Sequence, residues 1–244
     1  MYADSDKSFR AFTQACADVG KDCALARDGS TAEEIERKVF DLMFKLKYEP
    51  LSYAGTLIDW SYIRGSTIAS LYSTSWFEVY AEIIDGLSKG NASAISLLNL
   101  PNADIGDTGE RRAGIICGDK TTRGREDARS AIEAVSSLSK VGGDTAAQIM
   151  SLCGQWKMEA KERYSGSLEG IRTANPIFIL QNRYDPVTPV VSARNMSAVF
   201  EGSVVLEQNG HGVSNHSLEL IQKRSRILTN FPARFTCSTV SLHP

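Results

Sequence analysis

Apolar positions recur with a helical period through the first two thirds of the chain and give way to short, continuous apolar runs near Gly170. Residues 1–30 read as a helix followed by a Gly- and Cys-bearing loop that ends in Asp28-Gly29. Ser30 and Thr31, followed three residues on by Glu33 and Glu34, make overlapping capping boxes. The helix they open carries Ile35, Val39, Phe40, Leu42, Met43 and Leu46 on one stripe. A further helix is predicted over 55–72, around Leu57, Ile58, Trp60, Ile63 and Leu71. Ser75-Trp-Phe-Glu78 is a third capping signal, for a helix bearing Val79, Ile83, Ile84 and Leu87. The stretch 90–125, with Pro101, several glycines and a charge cluster from Glu110 to Arg125, reads as loop-rich. Helices are expected again at about 126–139 and 143–164.

Beyond Gly170 the period changes. Ile177-Phe-Ile-Leu180 is a continuous apolar run, suited to a strand buried on both faces as parallel sheets require. The loop Gln181-Asn-Arg-Tyr-Asp185-Pro-Val-Thr-Pro189 follows, then a helix over 190–200. A second strand, Ser203-Val-Val-Leu206, leads to the loop Glu207-Gln-Asn-Gly-His211-Gly212, and a helix of about 15 residues is expected from Ser217. Strand, loop, helix, strand, loop, helix is a βαβα unit. Both unusual loops follow the C-terminal ends of their strands, where open α/β sheets place their chemistry.

Composition narrows the classes of function. The 244 residues are 42% hydrophobic and 23% charged, ordinary for a globular protein. A formal net charge of -2 gives no electrostatic case for nucleic acid or an anionic membrane. No apolar run is long enough for a transmembrane helix. The polar N-terminus MYADSDKSFR is not a secretory signal, leaving a cytosolic protein or a segment of a longer one. Among five cysteines, Cys16 and Cys23 are spaced to close a small loop, and Cys117 and Cys153 to pair across mid-chain, with Cys237 left over. Buried free thiols account for the same residues equally well. No Cys/His spacing matches a metal site, and no cofactor motif is present. Asn91-Ala-Ser, Asn195-Met-Ser and Asn215-His-Ser are glycosylation sequons that matter only in the secretory path.

Two residues carry the chemistry. Asp185 leaves the first strand on a backbone stiffened by Pro186 and Pro189, as an acid that orients a histidine requires. His211, between Gly210 and Gly212 after the next strand, has the freedom a catalytic imidazole needs. Asp before His, on consecutive strand-end loops, is the chain order of the α/β-hydrolase triad. Asp185 would hold the tautomer and stabilise the imidazolium, and His211 would act as general base. The plain alternatives are an Asp that only forms a turn or helix cap, and a His that is a solvated loop residue.

The run Pro176-Ile-Phe-Ile-Leu-Gln-Asn-Arg-Tyr-Asp185-Pro-Val-Thr-Pro189 resembles the C-terminal portion of the tripeptidyl-aminopeptidase-like α/β-hydrolases, relatives of the prolyl aminopeptidases. Ala193-Arg-Asn-Met196, Phe200-Glu-Gly-Ser-Val-Val205 and Gly210-His211-Gly212 extend the resemblance, which runs from about Phe9 to Phe231. It implies that Asp185 and His211 complete a triad and that residues 1–169 form a helical lid, with 170–244 as the terminal α/β unit. It also implies peptide or ester hydrolysis by acyl transfer, and often secretion. The element Cys16-(six residues)-Cys23-Ala24 resembles a paired-cysteine feature of that family, and Cys117 takes the place of a structural or disulfide-linked lid cysteine. The sequence departs from the family at Ser217-Leu-Glu-Leu-Ile-Gln, where relatives often carry a Cys.

A nucleophile is harder to find. Gly86-Leu-Ser88-Lys-Gly90 matches G-x-S-x-G formally, but the helical spacing before it reads as a helix with a glycine C-cap. Cys117 is a weaker substitute. Asp59, Glu78 and Glu82 are candidates to meet a peptide's α-amine, against the plainer reading of solvated helix faces. The expectation is therefore a partial α/β-hydrolase fold supplying Asp185 and His211. Its nucleophile would come from an N-terminal half or a companion chain, and its substrate would be a peptide or small molecule. The alternative is a stand-alone, repurposed protein that binds a small molecule or runs a non-hydrolytic reaction.

Overall fold

The computed structural model describes residues 2–98, 105–119, 133–213 and 240–243. The predicted helix from Ser217, Cys237, the Asn215 sequon and residues 126–132 of a predicted helix lie outside them.

The N-terminal part is built on α1 (Ser5–Val19), α2 (Ala32–Tyr48), a hairpin of β1 (Leu51–Tyr53) and β2 (Thr56–Ile58), α3 (Trp60–Ser70) and α4 (Phe77–Ser88). The Thr31 capping box forms as read: the Thr31 hydroxyl accepts from Glu34 N and the Glu34 carboxylate accepts from Thr31 N. The stripe Ile35, Val39, Leu42, Met43 and Leu46 is buried against Phe9, Phe12, Ile63, Ile83, Ile84 and Leu87. Phe12 meets the rings of both Phe77 and Tyr80 edge-on, tying α1 to α4.

Four expectations need correction in this half. Residues 51–58 form a hairpin, and the helix is confined to Trp60–Ser70. Ala54 and Gly55 both hold positive φ, 49° and 82°, which a two-residue hairpin turn demands. Asp59 then caps α3, its Oδ1 accepting from Tyr62 N at 2.9 Å. At α4 the capping hydroxyl belongs to Ser73, not Ser75: it accepts from Ser75 N at the head of a short 3-10 turn that feeds the helix. The region expected to be loop-rich contains a 3-10 helix (Ala92–Leu98) and α5 (Ile105–Asp119). Ala113 and Cys117 give α5 a buried face despite its glycines, and Cys117 is disulfide-bonded to Cys153 of α6 (Gly143–Gln155). The predicted helix over 143–164 ends at Gln155, where Trp156 turns extended.

The second half contains a mixed sheet in the order β3 (Phe178–Tyr184), β4 (Val204–His211), β5 (Val240–His243). β3 and β4 run parallel, joined through α7 (Val190–Val199), and β5 pairs antiparallel to β4. Parallel strands linked through a helix, beside a helical half, make the chain α/β. Arg194 on α7 reaches Glu207 on β4 at 2.6 Å, fastening helix to sheet. Three expectations fail here. Residues 181–184, read as the start of a loop, continue β3, because they stay paired with β4. The first strand is not buried on both faces, because Phe178 is 41% exposed. The second strand does not end at Leu206 but continues to His211, since ladder pairing with β3 persists to Tyr184↔His211.

Candidate active site

Asp185 follows directly on β3 and is fully buried. Its Oδ1 accepts from the backbone N–H groups of Val187 and Thr188, each at 2.8 Å, and its Oδ2 accepts from the Thr188 hydroxyl at 2.8 Å. This is an Asx-type turn, favoured because Pro186 donates no hydrogen bond and presets the chain. Helix α1 and the residues just before it clamp the turn from outside. Ser8 Oγ donates to the Tyr184 carbonyl at 2.7 Å, Ser5 Oγ donates to the Pro186 carbonyl, and Tyr2 N donates to the Val187 carbonyl at 3.0 Å.

His211 ends β4 directly opposite Tyr184, the residue before Asp185, so the two sequence-singled residues lie at the same end of the parallel strand pair. The imidazole stacks on the Tyr184 ring with centroids 4.6 Å apart and planes inclined by 12°. Partial burial holds its pKa below the ordinary value of 6.5. Among the described residues no hydrogen bond joins His211 to the Asp185 carboxylate, whose bonds all go to its own turn. The strap beyond His211 is pinned three ways. Gly212 N donates to the Tyr184 carbonyl at 3.2 Å, Asn182 Nδ2 donates to the Gly212 carbonyl at 2.8 Å, and Val213 N donates to the Tyr72 carbonyl at 2.9 Å.

His211, Tyr184 and Asn209 line one side of a cleft of about 1460 Å³. Its other walls are the outer face of α1 (Lys7, Arg10, Gln14 and Asp18 among them), the α4 residues Phe77, Glu78, Ala81 and Glu82, and the Cys16–Cys23 disulfide. Glu78 and Glu82 thus share a cavity with His211, whereas Asp59 is spent on its cap. No serine lines this cleft among the described residues. Ser88 sits at the exposed end of α4, its hydroxyl bonded to the Asp85 carbonyl at 2.7 Å and followed by Gly90 at φ 80°. That is a helix terminus, not a strand-to-helix elbow. Cys117 is buried and oxidised, with no thiolate to offer. The described residues contain no group of His, Cys, Asp and Glu side chains suited to hold a metal.

Sequence reasoning missed Tyr184, Asn182 and Tyr72. Tyr184 was legible once register was known. Asn182 and Tyr72 act through contacts between segments far apart in the chain, for which the local pattern carries no signal.

An acid after one parallel strand and a histidine ending its neighbour, with the histidine lining a cleft, is compatible with the strand-end placement of chemistry in α/β-hydrolases. Residues 139–223, a stretch that holds β3, α7, β4 and both singled residues, match the family described as TAP-like protein, in line with the resemblance read from the sequence. No curated protein matches the chain.

Proposed function

We propose that this chain supplies the acid and base of a serine-type acyl hydrolase acting on peptides or small esters, with residues 1–169 as the lid over its cleft. The Tyr184↔His211 register carries the reading, because it brings the end of β3, which Asp185 follows, level with His211 on the wall of a cleft of about 1460 Å³. The relay needs the imidazole to turn off Tyr184 toward Asp185 Oδ2. That oxygen accepts one hydrogen bond and has capacity for another. Asp185 would then stabilise the imidazolium while His211 takes the proton of an attacking serine hydroxyl. Glu78 and Glu82 on the facing wall suit a cationic end of the substrate, such as a peptide α-amine.

The serine belongs, on this reading, to an N-terminal half or companion chain. Among the described residues β3 is paired on one side only, and a further strand on its free edge would extend the sheet. The 244-residue chain alone then takes up no fluorophosphonate, and strong labelling at Ser88 would defeat the proposal. The relay itself is tested by following the His211 ring protons through a pH titration in wild type and in Asp185→Asn. A nearby carboxylate favours the charged ring, so the substitution lowers the midpoint further. An unmoved midpoint removes Asp185 from the mechanism.

The ring, stacked on Tyr184 and without a hydrogen bond to Asp185 among the described residues, favours a second reading. A protein that binds a small molecule in the cleft, with His211 as a polar contact and no acyl-enzyme, also accounts for it. A folded monomer with no companion on native mass analysis and an unmoved Asp185→Asn midpoint would select that reading.

A further inference from the structure

We propose that Asn91 is, of the two described sequon asparagines, the N-linked glycan acceptor. It opens the sequon Asn91-Ala92-Ser93 in the turn after α4 and is exposed. Its Oδ1 accepts from Ser93 N at 3.1 Å and from the Ser93 hydroxyl at 2.7 Å. That is an Asx turn in which the sequon's hydroxyl already contacts the acceptor amide. Both bonds fall on the oxygen, and no described group accepts from Nδ2, which stays available as the reacting atom. The backbone anchors the turn: Asn91 N donates to the Gly86 carbonyl at 2.9 Å and Ala94 N donates to the Asn91 carbonyl at 3.3 Å. Asn91 lies outside the lining of the large cleft that holds His211.

The other described sequon is built differently. Asn195 is exposed in the middle of α7, and the hydroxyl of its serine, Ser197, is engaged with Ser203 Oγ at 2.7 Å, whereas the Ser93 hydroxyl bonds its own sequon's asparagine. The two disulfides, Cys16–Cys23 and Cys117–Cys153, independently place maturation in an oxidising compartment, the setting in which sequons are used. In the transfer an N–C bond forms between Asn91 Nδ2 and C1 of a sugar carried on a lipid-linked diphosphate. The C1–O bond breaks, the diphosphate leaves with its electron pair, and the amide proton passes to a base of the transferase. The inference does not depend on the hydrolase reading.

The test is to secrete the full chain from a eukaryotic host behind a heterologous leader, release glycans with peptide-N-glycosidase in ¹⁸O water, and map the peptides. Disulfide mapping of the same digest verifies that the folded chain was secreted. The expected result is an ¹⁸O-labelled aspartate at position 91 in most copies, none at position 195, and loss of the label in Asn91→Gln and Ser93→Ala. Ser93→Thr keeps it. An unmodified Asn91 peptide in the wild-type chain, or one that Ser93→Ala leaves glycosylated, overturns the proposal.

Discussion

Gly212 has φ 90°, and a Cβ built on it would lie 2.5 Å from the Tyr72 carbonyl oxygen. Two independent restraints therefore demand glycine immediately after His211: the left-handed backbone and the absence of room. Gly212→Ala is expected to cost about 1–3 kcal/mol and to shift the His211 ring resonances. Urea denaturation with NMR checks both, and an unchanged spectrum would mean that the strap does not rest on Tyr72. His211 itself makes stability depend on pH. Because its folded pKa is depressed, the unfolded chain binds the proton more readily. The penalty is absent well above the unfolded value of 6.5, grows as pH falls through it, and is complete below the folded value. A His211→Gln variant should accordingly lose less stability than wild type on acidification across that window. At the other end of the chain, Thr31→Ala removes one side of the capping box and should cost about 1 kcal/mol by thermal melting.

Elements in this protein are joined by a few long-range ties. The Cys117–Cys153 bond spans 36 residues and locks α5 to α6, while Cys16–Cys23 spans 7 and closes the loop after α1. Chain entropy gives the longer closure the larger effect, about 4 kcal/mol against about 2 kcal/mol. Double serine replacements compared by denaturant titration should preserve that order, and a reversal would show that strain or residual structure dominates. Elements with one uniform stripe were legible: α2 from Ile35 to Leu46, and α7 within a residue of its observed end. The β1–β2 hairpin and α5 were not. The hairpin's apolar residues Leu57 and Ile58 blend into the following helix, and only paired positive φ angles at Ala54 and Gly55 separate them. In α5 the glycines and charges look like loop, and the disulfide to α6 supplies order that local propensity lacks.

The molecule as a whole brings its first residues to its last sheet. Tyr2, Ser5 and Ser8 bond the turn that holds Asp185, so the segment preceding the disulfide loop is part of the candidate site's foundation. Helix α1 thereby does double duty, with one face in the core and the other lining the cleft. Ser8→Ala should transmit to the far end of the chain, weakening amide-exchange protection at Tyr184 and Val187 more than in α2. Equal protection throughout would show that the turn stands without α1. The exposed Phe178 at the start of β3, which is paired on one side only among the described residues, is the matching liability. Phe178→Lys should reduce concentration-dependent self-association in sedimentation velocity, and no change would mean the edge is already protected.

What the chain's residues determined alone was local: the Thr31 cap, the apolar stripe of α2, the parallel strand pair and the order Asp185 before His211. Those follow from period and capping chemistry, which act within a few residues. Only tertiary structure decided that Asp185 bonds its own turn, that Tyr184 rather than a carboxylate meets His211, and that Glu78 and Glu82 face the imidazole's cleft while Asp59 does not. Side-chain partners across packed elements depend on register and on contacts between segments more than a hundred residues apart, and no local pattern encodes these.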